Sequence, residues 1–122
     1  MYRQPILAAF EEDKIIGFVF FKENYTNEII SAAELPNIYI STLIVAEEAR
    51  GKGLTLKMYY HLFVGLYPER SVFTRTWLTN AAHTKILLHF DFTELIRKYE
   101  ERGKGIDTVY YKKEIKAPVL AR

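Results

Sequence analysis

The chain has no cysteine in its 122 residues, which excludes disulfides, thiolate ligands and thiol nucleophiles and fits a reducing cytoplasm. It has no apolar run near the length of a membrane-spanning helix. Met1 is followed by Tyr-Arg-Gln-Pro rather than by the apolar core of a secretory signal, so neither a membrane nor secretion is expected. Net charge is small: 17 Lys and Arg against 15 Asp and Glu leave +2, too little to argue for nucleic acid. His61, His83 and His89 show no ligand spacing, so no metal is expected. Internal repeats, linkers and low-complexity segments are missing too. What remains, 49% hydrophobic and 26% charged residues, is the composition of a soluble globular domain. The length predicts a single domain over 1–122 with a sizeable core. Aromatics are plentiful, with nine Tyr and eight Phe, and are expected mostly in strands and core.

One stretch organises the rest. Ile38 to Val45 is β-branched and apolar, as a strand covered on both faces would be. Glu47-Glu48-Ala49 leave it, and Arg50-Gly51-Lys52-Gly53 make a turn. Apolar residues then fall at Leu54, Met58, Leu62 and Leu66, with Tyr59 and Phe63 beside them, which is helical spacing with one apolar stripe. Pro68 sets the stop. A glycine turn opening a helix presents free backbone N–H groups and the positive end of the helix dipole, a site for an anion and most often a phosphate. The turn lacks the Gly-Lys-Ser/Thr ending of a P-loop, and Leu56 stands where G-x-G-x-x-G needs its last glycine. Taken alone, it fits either a plain αL turn or a general phosphate or nucleotide binder.

Around it, Ile6–Phe10 and Ile15–Phe21 read as a hairpin across the polar turn Glu11 to Lys14, the second strand buried on both faces. Gly17 within it predicts a bulge or a close backbone approach. Asn24 to Pro36 is an irregular connection. Ser71–Thr79 is a strand, and Asn80 is placed to cap the helix Ala81–Phe92. Thr93–Glu100 and Asp107–Ile115 are strands joined by the loop from Glu101 to Gly105, and the tail Lys116–Arg122, with Pro118, is expected to fray. The sum is an α/β (α+β) chain with about six strands and two helices.

The turn resembles the acyl-CoA signature of the GNAT N-acetyltransferases, Gln/Arg-x-x-Gly-x-Gly/Ala between a central strand and a helix. Here it reads Arg50-Gly51-Lys52-Gly53-Leu54-Thr55, with Thr departing at the last position. Thr76-Trp77-Leu78-Thr79-Asn80 resembles the family's next strand ending in Asn, followed by its helix closing on Asp91-Phe92. The run from Arg102 to Tyr111 is similar to the last hairpin of many bacterial members. These blocks stand in the family's order across residues 5 to 115.

The resemblance implies a mixed, mostly antiparallel central sheet of the acyl-CoA N-acyltransferase type. It implies transfer of an acetyl group from acetyl-CoA to a primary amine of a small molecule or peptide. The implied cofactor contacts are backbone of Leu43 and Val45 along the pantetheine, and backbone N–H groups of Gly51, Lys52, Gly53, Leu54 and Thr55 around the pyrophosphate. Arg50 and Lys52 add charge, and Asn80 reaches the pantetheine arm. Each has a plainer reading: Arg50 as a surface charge, the glycines as positive-φ turn residues, Thr55 as a small first-turn residue, Asn80 as a cap only. The family's usual acid, a Tyr seven residues after the Asn, is Leu87 here, and its usual base position is Asn37. Glu34, Tyr39, His83 and His89 are substitutes by nearness only. These departures leave a second reading, a non-catalytic CoA-binding or dimerising module of the same fold. Members normally begin with a further strand and two helices. This chain starts at what resembles the second strand, so an exposed edge and a homodimer are expected.

Overall fold

The computed structural model describes residues 4–101 and 103–114. Strands β1 (Ile6–Glu11) and β2 (Lys14–Glu23) form the expected hairpin. Its two-residue turn holds Glu12 and Asp13 at φ 49° and 68°, the mirror-image geometry that suits the twist of a hairpin. In β2, Gly17, Val19 and Phe21 are buried while Ile15 and Phe20 are exposed, so only one face is covered and not both. An unbroken apolar run cannot tell one covered face from two.

The connection from Asn24 to Pro36 crosses the other face. Asn27 Oδ1 accepts the N–H groups of Ile29 and Ile30 at 2.8 and 2.7 Å, and Tyr25 and Ile29 pack on Ile30, Tyr39 and Phe73. A short 3₁₀ turn, Ala32–Glu34, and a cis Leu35–Pro36 bond lead into β3 (Asn37–Val45). Strand β3 pairs antiparallel with β2 from Ile38 to Val45. Against β4 (Ser71–Trp77) it pairs in parallel, and only from Asn37↔Ser71 to Ile40↔Thr74. Burial follows the pairing: Asn37 to Ile40 are buried, whereas Ser41 to Val45 are not, so the expected two-faced cover holds for the first half of the strand only.

Helix α1 (Leu54–Tyr60) runs on as a π-helix, His61–Leu66. The wider π repeat takes Leu66 off the apolar stripe: it is 50% exposed, while Met58, Tyr59, Leu62 and Phe63 are buried. Helix α2 (Ala81–His89) ends before the expected Phe92. Strands β5 (Thr93–Lys98) and β6 (Thr108–Lys113) complete a six-stranded sheet in the order β1-β2-β3-β4-β6-β5, antiparallel except between β3 and β4. Ile115 and the tail Lys116–Arg122, like Met1 and Arg102, lie outside the described residues.

Both helices cover the same face. Met58, Tyr59, Leu62, Phe63 and Leu87 pack on Val19, Phe21, Ile38, Ile40, Val72 and Val109. At Gly17 a Cβ would lie 3.0 Å from Leu54 Cδ2 and 3.3 Å from the Ile44 carbonyl oxygen, so this glycine serves a close approach of α1. It also borders a register shift: Ala9 pairs with Gly17 but Phe10 with Ile15, so the extra residue Ile16 adjoins it, and a second shift lies between Phe20 and Phe21. On the opposite face, over β1, β2 and the end of β3, Ile6, Phe10, Phe20 and Ile44 are all exposed. Among the described residues no helix is long and apolar enough to cross a membrane.

Candidate active site

Where β3 and β4 part, beyond Ile40 and Thr74, the sheet opens into a cavity of about 830 Å³. Leu43 and Val45 line it from β3, Arg50 and Thr55 from the turn, and Asn80 and His83 from the start of α2. These positions are far apart in sequence, and the parallel crossover brings them to the same ends of neighbouring strands. Gly51 and Gly53 face open space, with no atom within 4 Å of where a Cβ would stand. Leu54 turns its side chain inward against Gly17.

Gly51 and Gly53 both adopt φ 75°. Gly53 is the cap residue of α1, no side chain caps the helix, and the Lys57 N–H to Gly53 carbonyl bond at 3.1 Å starts the helical ladder. The N–H groups of the first turn therefore have neither an intrahelical partner nor a side-chain cap. They sit at the positive end of the helix, in the open, beside the Arg50 and Lys52 cations. Arg50 Nε donates to the Val45 carbonyl at 3.2 Å, tying the turn to the end of β3.

Asn80 caps α2: its Oδ1 accepts the His83 N–H at 3.3 Å, which leaves the amide Nδ2 to donate. His83 Nε2 lies 2.9 Å from the Tyr59 hydroxyl. Tyr59 is fully buried and His83 half-buried. Burial pushes the Tyr59 hydroxyl well above the usual tyrosine range and pulls His83 below the usual histidine value, so both are neutral at neutral pH. The imidazole tautomer sets which of the two groups donates in this bond. From sequence Tyr59 is only a member of the apolar stripe. The one signal was a Tyr rather than a Phe in a buried helical position, since a buried hydroxyl needs a partner.

The other candidates lie apart from the cavity. Glu34 pairs with Lys112 at 2.6 Å. Tyr39 is buried with its ring 4.8 Å from that of Tyr25. His89 lines a shallow groove with Leu56, Lys57 and His61. Asn37 is fully buried and grips the Tyr25 backbone: its Oδ1 accepts the Tyr25 N–H at 2.9 Å and its Nδ2 donates to the Tyr25 carbonyl at 3.0 Å. Leu87 is fully buried in the core. Sequence reasoning missed Arg75, Trp77 and Ile86, which also line the cavity, because only the parting of the strands exposes them to it.

The profile of the acetyltransferase (GNAT) family matches residues 2–90. No curated protein matches the chain. Among solved structures, a ribosomal-protein alanine N-acetyltransferase from Escherichia coli is similar with a TM-score of 0.75 at 16% identity, over 98% of this chain and 76% of its own. An N-acetyltransferase from Staphylococcus aureus Mu50 has a TM-score of 0.72 at 20% identity, over 93% and 68%. The yncA protein of Salmonella typhimurium, solved with its cofactor acetyl-CoA, has 0.71 at 15%, over 98% and 69%. Identities this low speak for the fold, while the profile covers more than half of the chain and settles the family: the chain belongs to the GNAT acetyltransferases.

Proposed function

We propose that the protein is an N-acetyltransferase that moves an acetyl group from acetyl-CoA to a primary amine of a small molecule or peptide. The observation that carries this reading is the meeting of the part of β3 that has left β4, the Arg50 to Thr55 turn and the start of α2 around one cavity. Acetyl-CoA would supply an activated acetyl thioester at one end and a pyrophosphate at the other. The open glycine turn fits the pyrophosphate, through the first-turn N–H groups and the Arg50 and Lys52 charges. Beyond Ile40, β3 has no strand partner on the β4 side, and backbone of Leu43 and Val45 would align the pantetheine there. The N–H near Leu43 would stabilise negative charge developing on the carbonyl oxygen. Asn80 would donate its free amide hydrogens to the pantetheine arm.

The proton of the attacking amine must go elsewhere. Leu87 has none to give or take, and both polar ends of the Asn37 amide are engaged. Water reaching the open cleft serves: it takes the amine proton as the C–N bond forms and returns a proton to the CoA thiolate as the C–S bond breaks, with proximity and orientation supplying the rate. The same two residues favour one other reading, a CoA-binding module without turnover.

Acetyl-CoA at about a hundred times its dissociation constant should add about 2.7 kcal/mol of stability, read as a raised melting temperature. Thr55→Trp fills the turn end of the cavity without placing a side chain at positive φ, and should abolish the shift while the variant still melts cooperatively. A shift with turnover on a panel of primary amines supports the enzyme. A shift without turnover supports the module, and no shift removes both.

We propose further that the protein works in the reducing cytoplasm, as its lack of cysteine suits, and that it is a homodimer. The support is the exposed edge strand β1, with Ile6 and Phe10 on its open face. Sedimentation as a monomer at micromolar concentration would remove that reading.

A further inference from the structure

Side chains from both faces of the sheet line the cavity. Asn80, His83 and Ile86 line it from the helix face. Arg75 lines it from the other. Along β4, Val72 packs in the helix-face core, whereas Phe73 packs with Tyr39 and Ile30 on the opposite face. Arg75, two residues beyond Phe73, shares that second face, and Arg75 Nη1 donates to the hydroxyl of its cross-strand neighbour Tyr110 at 3.4 Å. The side chain is exposed.

The charges around it are already matched. Lys98 holds Glu28 at 2.7 Å and Glu101 at 3.6 Å, and Lys112 holds Glu34 at 2.6 Å and Glu114 at 2.8 Å. Arg75 forms no salt bridge among the described residues. Its hydrogen-bond partner is a neutral phenol at the long end of hydrogen-bond range. The hydrogen bond to the Tyr110 hydroxyl favours its charged form against the partial burial of the group. A guanidinium carries five donors in a fork that matches a carboxylate, so most of its capacity is unspent.

We propose that Arg75 is the acceptor-recognition residue: it binds a carboxylate on the amine substrate, so that the preferred acceptors are amines that also carry an acidic group. The inference rests on the N-acetyltransferase reading above. A protonated amine alone is repelled by Arg75. An amine with a carboxylate is held by a charge-assisted pair at the non-helix side of the cavity, its nitrogen directed toward the gap between β3 and β4. The group acts in binding and takes no part in bond making, so its loss raises KM more than it lowers kcat.

The test uses matched acceptors: alanine against alaninamide, γ-aminobutyrate against butylamine, and amidated Glu-Ala-Ala against amidated Gln-Ala-Ala. Wild type should favour the acid of a pair in kcat/KM by on the order of tenfold to a hundredfold, as charge-assisted hydrogen bonds allow. The pair with the largest ratio tells a free amino acid from an acidic peptide. Arg75→Met should bring the ratio near one through KM, and Arg75→Lys should recover part of it. Both variants should keep the acetyl-CoA melting shift. Equal rates for acid and amide in wild type, or equal losses on both in Arg75→Met, would overturn the inference. So would loss of the acetyl-CoA shift, which would give Arg75 to the cofactor instead. Calorimetric binding of the same acceptors to CoA-loaded protein keeps the two readings apart. Arg75-dependent binding of acids without turnover sinks the enzyme reading and leaves the carboxylate site. Turnover without any preference for acids does the reverse.

Discussion

Asn37 stands where many GNAT members carry a carboxylate base, and its surroundings demand an amide. It is fully buried, and one side chain must both accept from the Tyr25 N–H and donate to the Tyr25 carbonyl. An amide offers both at neutral pH, from two separate atoms of one plane, whereas a carboxylate only accepts. Asn37→Asp keeps the shape but sets a carboxylate oxygen against the Tyr25 carbonyl and buries a charge with no cation paired to it. The variant should therefore lose about 1–3 kcal/mol, or more, in urea unfolding, with no gain in acetyl transfer. An unchanged urea midpoint would show that the clamp contributes nothing. Residue-scale legibility was uneven for a physical reason. The Asn80 cap is a local interaction three residues long and could be read from the chain, whereas the bond between Tyr59 and His83 joins two helices and depends on how they pack.

At the scale of elements, two glycines with similar sequence settings have opposite roles. Gly17 lies under α1, where a Cβ would press on Leu54 and on the Ile44 carbonyl, a backbone atom that cannot easily move. Gly65 lies in the π segment, and the atom nearest to its would-be Cβ is His61 Nδ1 at 3.5 Å, an ordinary contact. Gly17→Ala should lift α1 from the sheet and cost about 1–3 kcal/mol, as overpacking does. Gly65→Ala should stabilise by about 0.5–1 kcal/mol through lost freedom of the unfolded chain. Thermal melting of both variants checks this, and a neutral Gly17→Ala would contradict the close approach. The strands were legible because alternation and turn residues are local signals. The π segment was not: Leu66 continues the helical spacing on paper, and only the path of the backbone after Tyr60 moves it to the surface. The cavity was legible at its turn and hidden along β4, where the parting of two strands is a property of the pair.

At the scale of the molecule, the sheet has a helix-covered face and a face covered only in part by the 24–36 connection, and the buried titratable pair sits on the first. His83 makes this layer sensitive to pH. Its value is lowered from 6.5 because charging it inside the α1–α2 seam removes it from water. The unfolded chain binds a proton near pH 6.5 and the folded one only at lower pH, so between the two values the unfolded state holds more protons. Stability is then full above about 6.5 and falls as pH drops through that window. The carboxylates do not mask the effect. Glu28 and Glu48 are held below 4.5 by Lys98 and Lys14, and as surface pairs they contribute little until the solution is more acidic still. Unfolding free energy measured from pH 7.5 to 5 should decline in wild type below about 6.5. It should decline clearly less in His83→Gln, which retains a hydrogen-bonding side chain beside Tyr59 but cannot titrate. Parallel curves for the two proteins would mean that His83 is charged in the folded state, and that the α1–α2 seam admits water.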